Sequence, residues 1–457
     1  MCSFLFYCLT NHVSIKMLKD ALKFMQKRGP DGTFINKNKY KDKHILCLHN
    51  LLHICGALPK VQPIIEDGII CIFNGEIYNY KSFLSDSKSD TECIIPLYKK
   101  HGIKFAQYLD GEFAIVLYDT INELLIWSTD IFMTKPLYIG YTGDNGEIGI
   151  ASYASALNSC GIHDVKMANP NETVCVKLDN PKVIIQSCPV YQFDLHKVKH
   201  DLGDWIQAFD NAVRKRVMHG CAKVFVTLSS GYDSGCITAS LNKQNIKYDS
   251  FSISKGENKD ILDRRMIINR TTGSCDLCAL IEGISIGDKQ EIVKEINENS
   301  EPFKYVHEDS PGNFMEMKND NGAAAMYYIC KVQRERKYKV IISGTGADEI
   351  ISDYGFNGSK IYYHSEFGGK WPQDMNTIFP WKKFYDDTQR SYLFKDEFIG
   401  GTHGMECRYP FLDKYVVQEY IWLSSDLKNK AYKYPLFEYL KKEHYPMCEG
   451  QKLGFCI

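Results

Sequence analysis

Short apolar runs punctuate residues 1–190. Ile69-Ile70-Cys71-Ile72-Phe73, Phe113-Ala114-Ile115-Val116-Leu117-Tyr118 and Leu124-Leu125-Ile126-Trp127 have strand length and β-branched or aromatic character. So do Pro136-Leu137-Tyr138-Ile139 and Ile148-Gly149-Ile150-Ala151. Helical periodicity interrupts them at 14–27 and 91–101. In the second window Thr91, Ile94, Ile95, Leu97 and Tyr98 recur behind Ser89-Asp90-Thr91-Glu92, which begins like a capping box. Sheets covered by a few helices predict a layered α+β domain over 1–190.

The pattern then changes. Polar residues crowd 187–202, which predicts a domain boundary. From 203 the amphipathic series Trp205, Phe209, Val213 and Val217 predicts a helix. It leads into the apolar run Lys223–Leu228, which stops at Ser229-Ser230-Gly231 and restarts as the helix-compatible Cys236–Leu241. Tyr248–Ser254 reads as a second parallel strand. Tyr338–Ile342 reads as a third, behind a helix ending near Arg336. Strands alternating with helices predict a doubly wound α/β domain over 203–457, with ligands at the carboxyl ends of its strands.

A chain of 457 residues exceeds what one core usually supports, in keeping with two domains. At 44% hydrophobic and 24% charged residues it has the composition of a soluble globular protein. A net charge of -1 argues against nucleic acid or an anionic membrane as main partner. The 17 cysteines are scattered, and the one zinc-like pair, Cys275-Asp276-Leu277-Cys278, has no second pair to complete four ligands. Reduced thiols and a cytoplasmic location are expected. The opening Met1–Tyr7 lacks the basic region of a signal peptide, and no run has the length to span a bilayer.

Three stretches carry candidate chemistry. A strand, the turn Ser229–Gly231 and a helix start set backbone N–H groups at a positive helix end, which suits phosphate. The spacing is not that of Walker A, and an ordinary corner with Ser229 as N-cap gives the same pattern. A second such loop, Ser343-Gly344-Thr345-Gly346-Ala347-Asp348-Glu349, leaves another strand end. Asp233 and Asp348 are therefore expected to share Mg²⁺ and pyrophosphate, a hard cation taking carboxylate and phosphate oxygens. In the first half, Cys2 becomes N-terminal if Met1 is removed. Its own α-amine, with a reference pKa of about 8, can then serve as base for its thiol. Asn74-Gly75 leaves a strand and sets a side-chain amide beside a backbone N–H, the donors of an oxyanion hole; a hairpin turn is the plainer alternative.

Cys2, Arg28-Gly29-Pro30-Asp31-Gly32, Asn74-Gly75-Glu76-Ile77-Tyr78-Asn79, Ser89-Asp90-Thr91-Glu92 and Asp110-Gly111-Glu112-Phe113-Ala114 resemble, in that order, the motifs of class II glutamine amidotransferases. Those are N-terminal-nucleophile (Ntn) glutaminases of four-layer α+β fold. The Ser229–Ser234 stretch is similar to the Ser-Gly-Gly-x-Asp-Ser loop of N-type ATP pyrophosphatases, with Ser230 at the first glycine. Glu406-Cys407-Arg408-Tyr409-Pro410-Phe411-Leu412-Asp413, Tyr432-Lys433-Tyr434-Pro435-Leu436 and Gln451-Lys452-Leu453-Gly454-Phe455 resemble elements of the asparagine synthetases. The whole chain thus resembles a glutamine-hydrolysing asparagine synthetase, most strongly at these motifs and thinly across 255–335.

That resemblance implies a set of roles. Cys2 attacks the glutamine amide, Asn74 with Gly75 stabilises the oxyanion, and Asn74, Glu76 and Asp90 hold the glutamine. Ser229, Gly231, Asp233 and Ser234 bind the pyrophosphate of ATP, while Leu228 and Ile253 flank its adenosine. Ser343, Gly344 and Asp348 complete that site, and Lys433 neutralises charge developing between the α- and β-phosphates. A carboxylate, L-aspartate in the leading reading, attacks the α-phosphate to give an acyl-adenylate and pyrophosphate. Ammonia passed internally from Cys2 then displaces AMP. Glutamine, ATP with Mg²⁺ and the acceptor are the implied partners, without nucleic acid or membrane; the oligomeric state stays open, a homodimer being one option.

Two departures bear on activity. Family members usually pair the glutamine carboxylate with an arginine in His-x-Arg-Leu-Ser-Ile, and here Leu51 stands at that place in His49-Asn50-Leu51-Leu52-His53-Ile54. Loss of a bidentate partner predicts weaker glutamine binding and leaves open a slow glutaminase, another cation or a vestigial site. At 345, asparagine synthetases place a glutamate and β-lactam synthetases a tyrosine, whereas this chain has threonine. Either Glu349 or another carboxylate then takes the glutamate's role, or the acceptor differs. The sequel Ile350-Ile351-Ser352-Asp353-Tyr354-Gly355 also departs from Leu-Phe-Gly-Gly-Tyr, and relatives usually continue beyond the point of Phe455. Two alternatives follow: amidation or cyclisation of a different carboxylate by the same adenylation, or a catalytically reduced regulatory homologue.

Overall fold

The strands of the first half assemble into two six-stranded antiparallel sheets in the computed structural model. Described residues are 2–9, 14–41, 43–54, 59–142, 147–218, 222–281, 284–307, 314–354, 365 and 367–449. The chain divides into two units. The first comprises Met1–Gln192 with Asn299–Glu301 and Gly401–Met405, and the second Phe193–Glu298, Pro302–Gly400 and Glu406–Ile457.

Within the first unit, one sheet runs in the order Asp164–Met167, Tyr138–Thr142, Glu147–Ala151, Ser3–Leu9, Lys43–Leu51, Gly32–Tyr40. The other runs Asn180–Pro189, Glu172–Lys177, Leu124–Thr129, Gly111–Asp119, Ile69–Ile77, Ile64–Glu66. The sheets touch through Ser3–Leu9 and Ile69–Ile77. Every residue of Ser3–Leu9 is buried, because the helix Ile15–Arg28 covers its other side. That helix starts at Ser14, whose Oγ accepts the Met17 N–H at 3.2 Å, and it buries the stripe Leu18, Ala21, Phe24, Met25 and Arg28. Ala154–Ser159 packs beside it, and Ile94–His101 lies on the second sheet.

Three local expectations are corrected. Asn74-Gly75 neither ends a strand nor forms a hairpin turn: Ile69–Ile77 continues through it, with Asn74 opposite Ala114 and Gly75 opposite Phe113. Gly75 makes this continuity possible, since at φ 138° an added Cβ would lie 1.9 Å from the Glu112 carbonyl oxygen. The capping box does not form either. Ser89 makes no capping bond, and Glu92 instead accepts from Ser87 Oγ at 2.9 Å and the Lys88 N–H at 3.1 Å. The segment therefore begins as a 3₁₀ turn, Asp90–Cys93, before the α-helix Ile94–His101. The strand expected from Pro136 starts at Tyr138.

In the second unit a five-stranded parallel sheet has the order Cys275–Ile281, Tyr248–Ile253, Lys223–Thr227, Tyr338–Ile342, Glu406–Arg408. The chain starts at the centre, winds outward through Tyr248–Ile253 and Cys275–Ile281, then returns to the other side of Lys223–Thr227. The strand order thus reverses between Lys223–Thr227 and Tyr338–Ile342, where sheets of this kind open a ligand crevice. Helices Tyr232–Lys243, Lys259–Thr271, Ile286–Asn299 and Asn321–Glu335 lie between the strands in sequence. Val224, Phe225 and Val226 are all buried, as both faces of a central parallel strand require.

Cys275 and Cys278 lie in one edge strand, where Ser250 Oγ donates to Cys278 Sγ at 2.9 Å. Neither cysteine is in a disulfide, and no helix among the described residues is long and apolar enough to cross a membrane.

The Glu406–Asp413 stretch is held by buried ion pairs. Arg408 Nε donates to Glu406 Oε1 at 2.6 Å and its Nη1 to the Arg216 carbonyl at 2.6 Å. Asp413 accepts from Arg216 Nη1 at 2.8 Å, pairs with Lys215, and caps the helix Lys414–Trp422 by accepting the Tyr415 N–H. Burial alone would raise the Asp413 carboxyl, but Lys215 and Arg216 hold it down at about 2. A depressed folded-state value gives stability that is present above the unfolded value of about 4 and lost as pH falls towards about 2. Asp413→Asn is expected to cost about 3 kcal/mol or more at neutral pH, because it strands buried cations. Urea unfolding should show the gap to wild type at pH 7 and its narrowing below pH 4.

Candidate active sites

Cys2 directly precedes the buried strand Ser3–Leu9 and is half-buried. Its Sγ lies 3.9 Å from the Leu52 carbonyl oxygen, and its own carbonyl accepts Arg28 Nε at 2.9 Å. Arg28 is buried, with its guanidinium 5.5 Å from the Tyr153 ring centroid. It fixes the backbone of Cys2, a role the sequence did not announce beyond the turn motif that Arg28 opens.

Asn74, on the strand that contacts Ser3–Leu9, is fully buried, and neither its Oδ1 nor its Nδ2 has a hydrogen-bond partner. A buried orphan amide is costly unless a ligand completes it. Glu76 follows two residues on, half-buried in the same strand. Asp90 Oδ2 accepts the Ile77 N–H at 3.0 Å, so the strand end and the 3₁₀ turn carrying Asp90 are tied together. Leu51 is buried opposite Gly32, so an apolar side chain occupies the position expected to bear the family's arginine. Two residues earlier His49 is fully buried without a partner on either nitrogen, and burial pushes its imidazole down to about 3.

The second site forms at the strand-order reversal. The helix Tyr232–Lys243 has Gly231, not Ser229, as its N-cap, and no side chain caps it. Ser229 instead braces the loop: its N–H donates to Ser234 Oγ at 3.0 Å, and its Oγ lies 2.8 Å from Ser234 Oγ and accepts the Gly231 N–H at 3.2 Å. Leu228 and Ile253 are buried at the ends of neighbouring strands, and the Leu228 N–H donates to the Phe251 carbonyl at 2.9 Å.

Gly344 brings the second loop against the first, since a Cβ there would lie 2.9 Å from Asp233 Cβ. Lys433 joins the two. Its Nζ donates to Asp233 Oδ1 at 2.7 Å and Oδ2 at 2.8 Å, and lies 2.9 Å from Asp348 Oδ1. Tyr432 OH and Ser352 Oγ also donate to Asp348 Oδ1, at 3.3 and 3.2 Å. Burial alone would lower the Lys433 ammonium, but Asp233 and Asp348 hold it well above its ordinary range. Lys433 sits at φ 47°, a left-handed conformation rare for a lysine, at the N-cap of Tyr434–Lys442.

Three contributors to this site lie outside the motifs. Arg265 is fully buried and donates Nη1 to the carbonyls of Ser229 at 2.5 Å and Gly231 at 2.8 Å, holding the loop from beneath. Glu257 accepts the Ser230 N–H at 2.6 Å and also its hydroxyl, which gives the serine at the glycine position a fixed partner. Asp396 accepts from Ser343 Oγ at 2.8 Å and Thr345 Oγ1 at 2.7 Å. Arg265 and Glu257 come from the stretch where the motif resemblance is thin, and Asp396 from a helix with no motif of its own. No local sequence signal marks them. Glu349 faces elsewhere, accepting Tyr354 OH at 2.6 Å. The Gln451–Phe455 element and Gly355 lie outside the described residues.

Residues 1–181 match the family model of the glutamine amidotransferase domain. The chain is 29% identical over 450 residues to the asparagine synthetase [glutamine-hydrolyzing] of Mus musculus, covering 88% of this chain and 73% of that one. To the enzyme of the same name from Gallus gallus it is 28% identical over 460 residues, covering 90% and 75%. A solved glutamine phosphoribosylpyrophosphate amidotransferase from B. subtilis aligns at 14% identity and a TM-score of 0.34, over 65% of this chain and 88% of that one, too low a likeness to bear on the fold. The N-terminal part is thus a glutamine amidotransferase domain. Over most of its length the chain is similar to glutamine-hydrolysing asparagine synthetases.

Proposed function

We propose that this protein is a glutamine-dependent ligase that amidates a carboxylate at the expense of ATP, releasing AMP and pyrophosphate, with aspartate to asparagine as the leading reaction. The observation that carries the reading is the convergence of Asp233 and Asp348, from loops after neighbouring parallel strands, on the buried ammonium of Lys433. Such a cluster at a switch point is built for a polyphosphate and its counter-cation.

The first site acts on glutamine. Cys2 attacks the side-chain amide, with its α-amine as base once Met1 is gone. The orphan Asn74 amide and the Gly75 N–H receive the oxyanion, and Glu76 and Asp90 hold the substrate's amino group. Two sheets faced by helices support the four-layer Ntn assignment for 1–190.

At the second site Ser229, Gly231, Asp233, Ser234, Ser343 and Gly344 hold the pyrophosphate, Leu228 and Ile253 flank the adenosine, and Lys433 meets charge developing between α- and β-phosphates. The carboxylates of Asp233 and Asp348 fit Mg²⁺ as hard donors. Among the described residues no cluster of three or more metal-ligating side chains exists, so phosphate and water would supply its other ligands. Mg²⁺ bound with ATP would neutralise the phosphates.

Thr345 favours a second reading, amidation or cyclisation of a carboxylate other than aspartate. A pyrophosphate-release screen over candidate carboxylates, with ATP, Mg²⁺ and ammonium, tests both. Release that depends on one carboxylate names the acceptor. No release with any carboxylate would leave a catalytically reduced homologue, a reading that buried Leu51 supports.

A further inference from the structure

We infer that Asp396 orients the Thr345 hydroxyl as the proton acceptor of the amide-forming step, supplying through threonine the carboxylate that position 345 lacks. This rests on the ligase reading above. Asp396 lies on the helix Thr388–Thr402 and is buried. Its Oδ2 is 2.7 Å from Thr345 Oγ1 and 2.8 Å from Ser343 Oγ, and a carboxylate only accepts, so both hydroxyls donate to it. Ser343 Oγ also lies 3.1 Å from Thr345 Oγ1 and accepts the Thr345 N–H at 3.2 Å. The hydroxyl of Thr345 is therefore held at both ends of its residue, with its proton committed to Asp396 and its remaining acceptor capacity left for an incoming N–H.

A threonine alone is no base at neutral pH, but one bonded to a carboxylate can pass its proton on while taking another. The step balances. The ammonia nitrogen forms a bond to the acyl carbon, and the bond from that carbon to the AMP phosphate oxygen breaks, AMP leaving with the electron pair. One proton moves from nitrogen to Thr345 Oγ1 as the hydroxyl proton moves to Asp396 Oδ2. Burial raises the Asp396 carboxyl above its ordinary range, despite opposing contributions from Lys395 and the two hydroxyls, which helps it keep that proton. The neighbouring carboxylates have other partners: Glu349 takes Tyr354 OH, and Glu397 takes Tyr409 OH at 2.9 Å. Asp396 acts through Thr345, so it is a positioning residue.

The test compares wild type, Asp396→Asn, Thr345→Val and Thr345→Ser with ammonium and the carboxylate that wild type accepts. ATP–pyrophosphate exchange and amide formation are measured in the same samples. Exchange should fall far less than amide formation in Asp396→Asn and Thr345→Val. Amide formation should fall about 100-fold in Asp396→Asn and Thr345→Val and recover in Thr345→Ser. Equal loss of exchange and amide in Asp396→Asn would mark a merely structural residue and overturn the inference. Unchanged amide formation in Thr345→Val would overturn it too, and that near-isosteric variant decides the matter if Asp396→Asn does not fold. A wild type without exchange for any carboxylate would instead sink the ligase reading, an outcome distinct from losses confined to the variants.

Discussion

In the Cys2→Ala variant, glutamine-supported product formation is expected to fall by more than about 1,000-fold while ammonium-supported formation stays at the wild-type level. Alanine offers no nucleophile, whereas ammonium bypasses the first site. Arg28 holds the residue through its backbone carbonyl, which alanine keeps. Asn74 and Asp90 keep their places, so the variant should still bind glutamine. Rates with glutamine that survive in the variant would refute Cys2 as nucleophile. Wild type that uses ammonium alone would mean that the buried Leu51 has already cost the site its substrate.

Asp233→Asn should have a comparably large effect on the other activity. The change keeps the volume against which Gly344 packs but removes a charge from the pair that holds Lys433. ATP–pyrophosphate exchange is expected to drop at least about 100-fold, with glutamine hydrolysis unchanged, since Asp233 and Cys2 belong to different units. Parallel loss of both activities in a folded variant would contradict separate sites.

Much of the framework was legible because it rests on period and punctuation. Lys223–Thr227, Tyr248–Ile253 and Tyr338–Ile342 are apolar runs cut off by Ser, Gly or charge, and all three are central strands of the parallel sheet. The helical period at 14–27 matches the helix Ile15–Arg28. Short polar or edge segments were not. Gly32–Tyr40 alternates Asn and Lys with few apolar residues, and Cys275–Ile281 offered a cysteine spacing in place of a strand pattern. Asn74-Gly75 misled for a physical reason: glycine there serves the close approach of the Glu112 carbonyl, not a turn. Asp233, Asp348 and Lys433 could be read from motifs, but their meeting depends on strand order. Arg265, Glu257 and Asp396 could not be read, because each acts through tertiary contacts tens of residues away from anything that marks it.

On the proposed reading, one chain moves nitrogen from glutamine onto a carboxylate while cleaving ATP to AMP and pyrophosphate. Glutamine labelled with heavy nitrogen in its side-chain amide, supplied with ATP, Mg²⁺ and L-aspartate or the carboxylate found by screening, tests it directly. Mass spectrometry of the product, alongside AMP and pyrophosphate, should show one label per amide formed and one AMP per label. Pyrophosphate released without labelled amide, or label appearing only as free ammonia, would contradict it.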